Sequence, residues 1–498
     1  LEARITDELR EDLRILYQDK DQPLAVRSSS IFEDTLYQPF AGVFATYMLP
    51  NCHPDLDYRI DQLVDAVKLI YASTYLKTAR SYAETMGMSL PESKMAVVIQ
   101  RVVGQAYGDR YYPDFSGAAS SYNDYPLGEN LQPEDRIAYL ALGLGKTVVD
   151  GGLARRFSPQ RPRVNLYSGI EEQLESSQRE FYALRMACHQ GIDLERGEDN
   201  FLDCFHLGHA QQDGTLSEAA DTYHPQDGTV SSGFFNPDQG APVITFNRQL
   251  KYGTYPMAEI INRVLKLGEE AMGCPVELEF AGNFFPNRRD RPSFYLLQLR
   301  PYLEYDDSLL LENLQVPREE MLVSTSEVSG NRVISDIRDL IYVKPEAFDP
   351  SRTMEMVDEI SRLNRALSQD EVPYLLMGPG RWGTYDRHLG IPVDWSDISG
   401  ARVILEMDLE GFRVDHSQGS HFFHNITSAG IPYFYVGYQQ DGSGIDWNWL
   451  NRVPVVQETA GFRHVRTASP LLIIANGKNR RGEIIKPGAA DSFELPEK

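Results

Sequence analysis

The stretch LAVRSSSIFEDTLYQPFAGVF, residues 24–44, opens like a buried strand and then turns polar at once. Arg27, three serines, Glu33 and Asp34 are set between two apolar runs. Turn chemistry alone accounts for part of this, because Ser and Asp initiate turns and cap helices at solvated strand ends. A second reading is open. A guanidinium just past a strand, flanked by hydroxyls and free backbone N–H groups, is suited to gripping phosphate oxygens.

The chain has 498 residues, so about two to four domains are expected and a sizeable core is affordable. Acids outnumber bases 72 to 48, a net charge of -24. That argues against nucleic acid as a partner, since phosphate contacts along a duplex need clustered Lys and Arg. It leaves room for one small anion in a local basic pocket. Four scattered cysteines, Cys52, Cys188, Cys204 and Cys274, form no CxxC pair and read as reduced thiols of a cytoplasmic protein. No run approaches the roughly 18 apolar residues of a membrane span, so no membrane partner is expected. The opening LEARITDELREDLRILYQ reads as a helix entered midway, as in a piece of a longer chain.

Periodicity organises the rest. Ile5, Leu9, Leu13, Ile15 and Leu16 form a rough helical stripe. Ile60, Leu63, Val64, Val67, Ile70 and Tyr71 fall at clear amphipathic spacing. KMAVVIQRVV (94–103) is a continuous β-branched run, the pattern of a buried strand. Residues 136–152 read as a helix or strand broken by a glycine turn, residues 190–250 as hairpins and long loops, and residues 255–272 as a helix. VELEFAGNFF and SFYLLQLRPY read as two strands joined by the charged turn PNRRDRP. The fold class expected is α/β or α+β. The acidic stretch 304–322 reads as a linker between residues 1–303 and a β-rich α/β domain over residues 323–498.

Within the terminal hairpin the polar residues are spaced for chemistry. Glu277 and Glu279 share one strand face, and Gln298 and Arg300 share another. If the strands pair in register, Glu279, Gln298 and Arg300 converge. Oxygen ligands beside an arginine suit Mg²⁺ bridging phosphates. A solvent-facing row of cross-strand polar pairs would give the same spacing.

Six segments then carry a resemblance. LAVRSSSIFEDTLYQPFAGVFATYMLPN, KMAVVIQRVV, SGAASSYND, LGLGKTVVDGG, PVELEFA and FYLLQLRP occur in this order over residues 20–302. In that order they resemble the nucleotide-binding domain of the phosphoenolpyruvate synthase and pyruvate phosphate dikinase family. The resemblance implies a two-lobed ATP-grasp domain clasping ATP. By the same resemblance Arg27 contacts phosphates, Arg300 grips the transferred phosphates, and Glu279 and Gln298 hold Mg²⁺. The resemblance also implies that the strand end Gln100–Val102 lines the adenine slot. Three departures accompany it. Nothing before Leu24 matches the family's glycine-rich start and its lysine, Lys20 being too close and without glycines. The glutamate of the GLGE motif is Lys146 here, and Arg155 and Arg156 stand near the family's proline–aspartate pair.

GRWGTYDRHLGIPV (380–393) faintly resembles the family's swivelling histidine domain, with His388 out of place, so residues 323–498 read as a diverged form of it or as something else. SQGSHFFHN puts His421 and His424 three apart, on one face if helical. Phosphoacceptor, metal pair and packing residues are all open readings. MGPGRWG is a tight turn or an anion cradle of backbone N–H groups. The function expected is Mg²⁺-dependent phosphotransfer from ATP to an acceptor the sequence does not name. The alternative is an ATP-sensing or scaffolding pseudoenzyme. An additional upstream domain or a homo-oligomer fits either reading.

Overall fold

The computed structural model describes residues 3–30, 33, 42–76, 79, 80, 83, 95–126, 131–167, 169–284, 292–302, 316–439 and 442–488. The expected turn PNRRDRP, most of the acidic linker, Asp34 and the C-terminal tail lie outside these residues or almost entirely so. The chain divides into two units. One comprises residues 1–121, 136–149 and 153–301; the other comprises residues 122–135, 150–152 and 302–498.

In the first unit, Leu24–Ser30 is the centre of a three-stranded antiparallel sheet between Thr46–Leu49 and Met95–Arg101. The helix Leu56–Ser73 covers one face of this sheet. Its periodic residues Ile60, Leu63, Val64, Val67 and Ile70 are buried together with Leu24, Val26 and Leu49, so the amphipathic spacing is spent on this core. The helix Asp7–Tyr17 uses less of its stripe: Leu13 is buried, whereas Leu9, Ile15 and Leu16 are exposed.

A five-stranded antiparallel sheet runs in the order Ser293–Pro301, Val276–Asn283, Phe115–Ser120, Ile137–Ala141, Arg155–Phe157. The helix Met257–Met272 packs on it, burying Ile261 and Leu265 against Val276, Leu278 and Phe280. After Ile137–Ala141 the chain reverses at Gly143, whose φ of +87° and 2.7 Å approach of a would-be Cβ to the Tyr182 carbonyl oxygen admit only glycine. Residues 190–250 add the helices Leu207–Asp213 and Leu216–Ala219 to the expected hairpins.

The cysteine expectation is corrected. Cys52 follows the strand Thr46–Leu49 and Cys188 follows Glu180–Arg185; the fold brings the Cα atoms of the two cysteines to 5.1 Å, and they form a disulfide. Cys204 and Cys274 are outside that disulfide, and the Cys204 thiol donates to the Glu180 carboxylate at 3.4 Å. With this disulfide the cysteines no longer point to a reducing, cytoplasmic setting. No helix among the described residues is long and apolar enough to cross a membrane.

The second unit is built on a seven-stranded sheet. Its four central strands, Tyr433–Val436, Ala401–Met407, Tyr374–Pro379 and Asp339–Val343, are parallel neighbours in that order. Their near-continuous apolar sequences are what strands buried on both faces require. The helices Thr353–Gln369 and His421–Ser428 lie in two of the crossovers. A second, antiparallel sheet contains Met321–Thr325, Leu472–Asn476 and Arg481–Ile485. Two short segments from early in the chain complete this unit through hydrogen bonds. Asp124 accepts from Tyr302 and Ser329 hydroxyls at 2.6 Å each and from Gln418 Nε2 at 3.1 Å. Arg381 Nη1 donates to the carbonyls of Gly151 and Gly152 at 2.5 and 3.0 Å.

Candidate nucleotide site

The hairpin pairs in the register that its spacing allows: Glu277 faces Arg300 and Glu279 faces Gln298. Val276, Leu278 and Phe280 point to the other side, into the core. Alternation along the strand thus segregates an apolar face from a polar one. A bulge between Glu279 and Phe280 interrupts the ladder just beyond the acidic pair.

On the polar face the side chains meet. Arg300, only 3% exposed, donates from Nη2 to the Glu279 carboxylate and, at 2.8 Å, to Gln298 Oε1. Arg27 arrives from the three-stranded sheet and donates from its own Nη2 to the same Gln298 oxygen at 2.5 Å. Two guanidinium groups from different sheets thus share one amide oxygen beside a carboxylate. Four of the residues singled out from sequence are brought together here.

The polar turn after Arg27 holds that strand end. Glu33 accepts from Ser28 Oγ at 2.7 Å and from the Ser30 N–H at 2.9 Å, and its own N–H donates back to Ser30. The turn reading of the opening stretch therefore holds. The serines and Glu33 make a self-satisfying turn, and that turn fixes the strand that carries Arg27.

Gln100 and Val102 sit differently. Gln100 pairs with Ala25, so it lies on the sheet face of Arg27, one diagonal step away. Val102 is 5% exposed and packs in the core of that sheet. Its N–H donates to the Pro23 carbonyl at 2.9 Å, and its carbonyl accepts from the Tyr111 hydroxyl at 3.3 Å. Both backbone groups thus have partners within the protein.

The departures also find places. Lys146 pairs with Asp199 at 3.3 Å and lies over the Tyr182 ring. Arg155 lies over the Tyr167 ring. Arg156 is 1% exposed, and the cross-strand register Gln298, Glu279, Ala118, Tyr139, Arg156 puts it on the same sheet face as the acidic pair. Reading Arg156 only as a replacement missed this. Alternation within RRF was the available signal, but it becomes informative only once strand order is known.

In the second unit, Ser420 caps the helix His421–Ser428. His424 is buried, His421 half-buried and His388 exposed. A histidine that accepts phosphate has to meet a donor, so burial counts against His424.

Among the described residues no group of three or more His, Cys, Asp or Glu is placed to hold a metal unaided. The Glu279 and Gln298 oxygens do suit a hard cation that takes its remaining ligands from phosphates and water, the usual situation of Mg²⁺. They now bind guanidinium groups, so the position already attracts positive charge.

Comparison with known proteins gives the family. Residues 1–313 match the family described as pyruvate phosphate dikinase, AMP/ATP-binding domain. A curated relative, the uncharacterized phosphotransferase YvkC of Bacillus subtilis (strain 168), is 26% identical over 204 residues, which are 40% of this chain and 21% of the relative. The chain therefore aligns with about a fifth of that relative's length. Since the family match spans well over half of the 498 residues, the chain belongs to the pyruvate phosphate dikinase AMP/ATP-binding domain family.

Proposed function

We propose that this chain is an ATP-dependent phosphotransferase of the dikinase kind, with its phosphate site on the polar face of the Glu279–Gln298 hairpin. The observation that carries this reading is the convergence of Arg27 and Arg300, from two sheets, on the Gln298 amide oxygen beside Glu279. Phosphoryl transfer needs little covalent chemistry from a protein. It needs phosphates held in line and their charge offset. Buried guanidinium forks do both, because they bind phosphate oxygens in pairs and act at low dielectric.

Glu279 and Gln298 would hold Mg²⁺. When bound, that ion would supply positive charge that offsets the charge of the phosphates. Arg27 and Arg300 would then exchange their hydrogen bonds to Gln298 and Glu279 for bonds to phosphate. The expected acceptor is a group outside this cluster. The alternative, a nucleotide sensor without turnover, draws on Lys146: a glutamate's place is taken by a cation already paired with Asp199.

Product analysis decides between these readings. With ATP and Mg²⁺, a dikinase-like transfer yields AMP. ADP alone would mean ordinary γ-transfer and would contradict the dikinase reading. Saturable ATP binding with neither product, with candidate acceptors present, would favour the sensor.

A further inference from the structure

The second unit holds a pocket of about 330 Å³ that the nucleotide chemistry does not use. It opens at the carboxyl ends of the parallel strands. Glu346 follows Asp339–Val343, Asp408 and Glu410 follow Ala401–Met407, and Tyr438 follows Tyr433–Val436. In open α/β sheets this edge is where ligands bind, because loops from several strands converge there.

The lining selects by charge. Three carboxylates, Glu346, Asp408 and Glu410, face one cation, Arg463. Arg463 is itself engaged: it donates to Glu458 at 3.2 Å, a carboxylate it shares with Lys344, to the Asn451 side-chain oxygen at 3.3 Å and to the Tyr342 hydroxyl at 3.2 Å. Asp408 is held in place by the N–H groups of Val414 and Tyr438, each at 3.2 Å, which orient its charge without exhausting its lone pairs. An anion such as a phosphate would meet net repulsion here.

The walls select by shape. Trp447 and Tyr438 line the space, and the Arg413 guanidinium already lies 5.2 Å from the Tyr438 ring centroid, so a cation is seated on one of these rings. The volume is at the small end for an organic ligand and far larger than a bare metal ion needs.

We propose that this pocket binds a small organic cation, an ammonium or guanidinium compound with a short apolar body. The carboxylates would supply attraction and the aromatic walls would cover the body. This inference is independent of the phosphotransferase reading.

All four tryptophans, Trp382, Trp395, Trp447 and Trp449, fall in the second unit, and Trp447 lines the pocket, so fluorescence reports the site directly. Choline and putrescine, titrated into the full chain against sodium chloride of equal ionic strength, serve as quaternary and primary probes. Saturable quenching by at least one probe, weakened tenfold or more in the Glu346→Gln/Glu410→Gln double variant, is the expected result. Both substitutions are at exposed positions and spare the core. Response to choline alone would assign the aromatic walls as the main determinant, and response to putrescine alone the carboxylates. The proposal is overturned if neither probe saturates at tens of millimolar, if the double variant binds as tightly as the wild type, or if inorganic phosphate binds instead.

Discussion

Replacing Arg300 with alanine is expected to lower ATP affinity by about a hundredfold or more and to abolish the rise in melting temperature that ATP gives the wild type. Arg300 is almost fully buried and is the group that links Glu279 to Gln298. Its loss removes a paired donor from the proposed phosphate site and leaves the Glu279 carboxylate without that partner. Breaking a buried ion pair from one side costs about 3–5 kcal/mol, so the first unit should also be less stable without ligand. Arg300→Lys separates the two effects. It keeps the charge and loses the planar fork, so stability should recover more than affinity does. Calorimetric titration of ATP, with circular dichroism as a check on folding, reads both. Affinity in Arg300→Ala within threefold of wild type would remove Arg300 from the site.

The second large effect concerns stability. Glu406 is fully buried in the parallel sheet of the second unit. Its carboxylate accepts from the Trp382 N–H at 3.0 Å, the Ser417 N–H at 3.1 Å, the Tyr433 hydroxyl at 2.9 Å and the Ser417 hydroxyl. Glu406→Ala strands four donors and should cost about 3–5 kcal/mol, read as a fall in the tryptophan-detected unfolding midpoint. Burial pushes the Glu406 carboxyl up to about 7, against the pull of Ser417, Trp382, Tyr433 and Arg381.

A carboxyl whose folded pKa lies above its unfolded value favours the folded state fully below the unfolded value. That contribution is lost as pH rises through the folded one. Between about pH 4.5 and 7 Glu406 should therefore withdraw about 3 kcal/mol. Asp408, raised to about 6 mainly by burial, acts in the same direction. The Glu406→Gln variant should lose its share of this slope. An identical pH dependence of stability in wild type and Glu406→Gln would show that Glu406 does not titrate as described.

What the sequence revealed depended on how local each signal was. The alternation in VELEFA and YLLQLRP marked the hairpin and the faces that carry Glu279, Gln298 and Arg300, because period two sorts side chains before any tertiary contact is known, while the register that makes them meet is seen in the structure. The helix Leu56–Ser73 was legible for the same reason at period 3.6. The stripe in Asp7–Tyr17 promised more burial than it delivers, since amphipathic spacing shows which residues could be covered and not what covers them.

Contacts between distant residues were not legible. Cys52 and Cys188 are 136 positions apart, and no local pattern pairs them. The bonds of Asp124 to Ser329 and Gln418 span more than 200 residues. The parallel sheet of the second unit was hidden in a similar way. Its apolar runs were visible as strands, but strand order and direction depend on crossovers. The pocket at the carboxyl edge exists only once those are set.

The most direct test of the central claim is a crystal structure of the chain with Mn²⁺ in place of Mg²⁺ and a non-hydrolysable ATP analogue, read by the anomalous scattering of manganese. A manganese peak is expected about 2.1 Å from oxygens of Glu279 and Gln298, with the analogue's phosphates on Arg27 and Arg300. An analogue bound elsewhere, with Arg300 still paired to Glu279 and Arg27 still on Gln298, would contradict it.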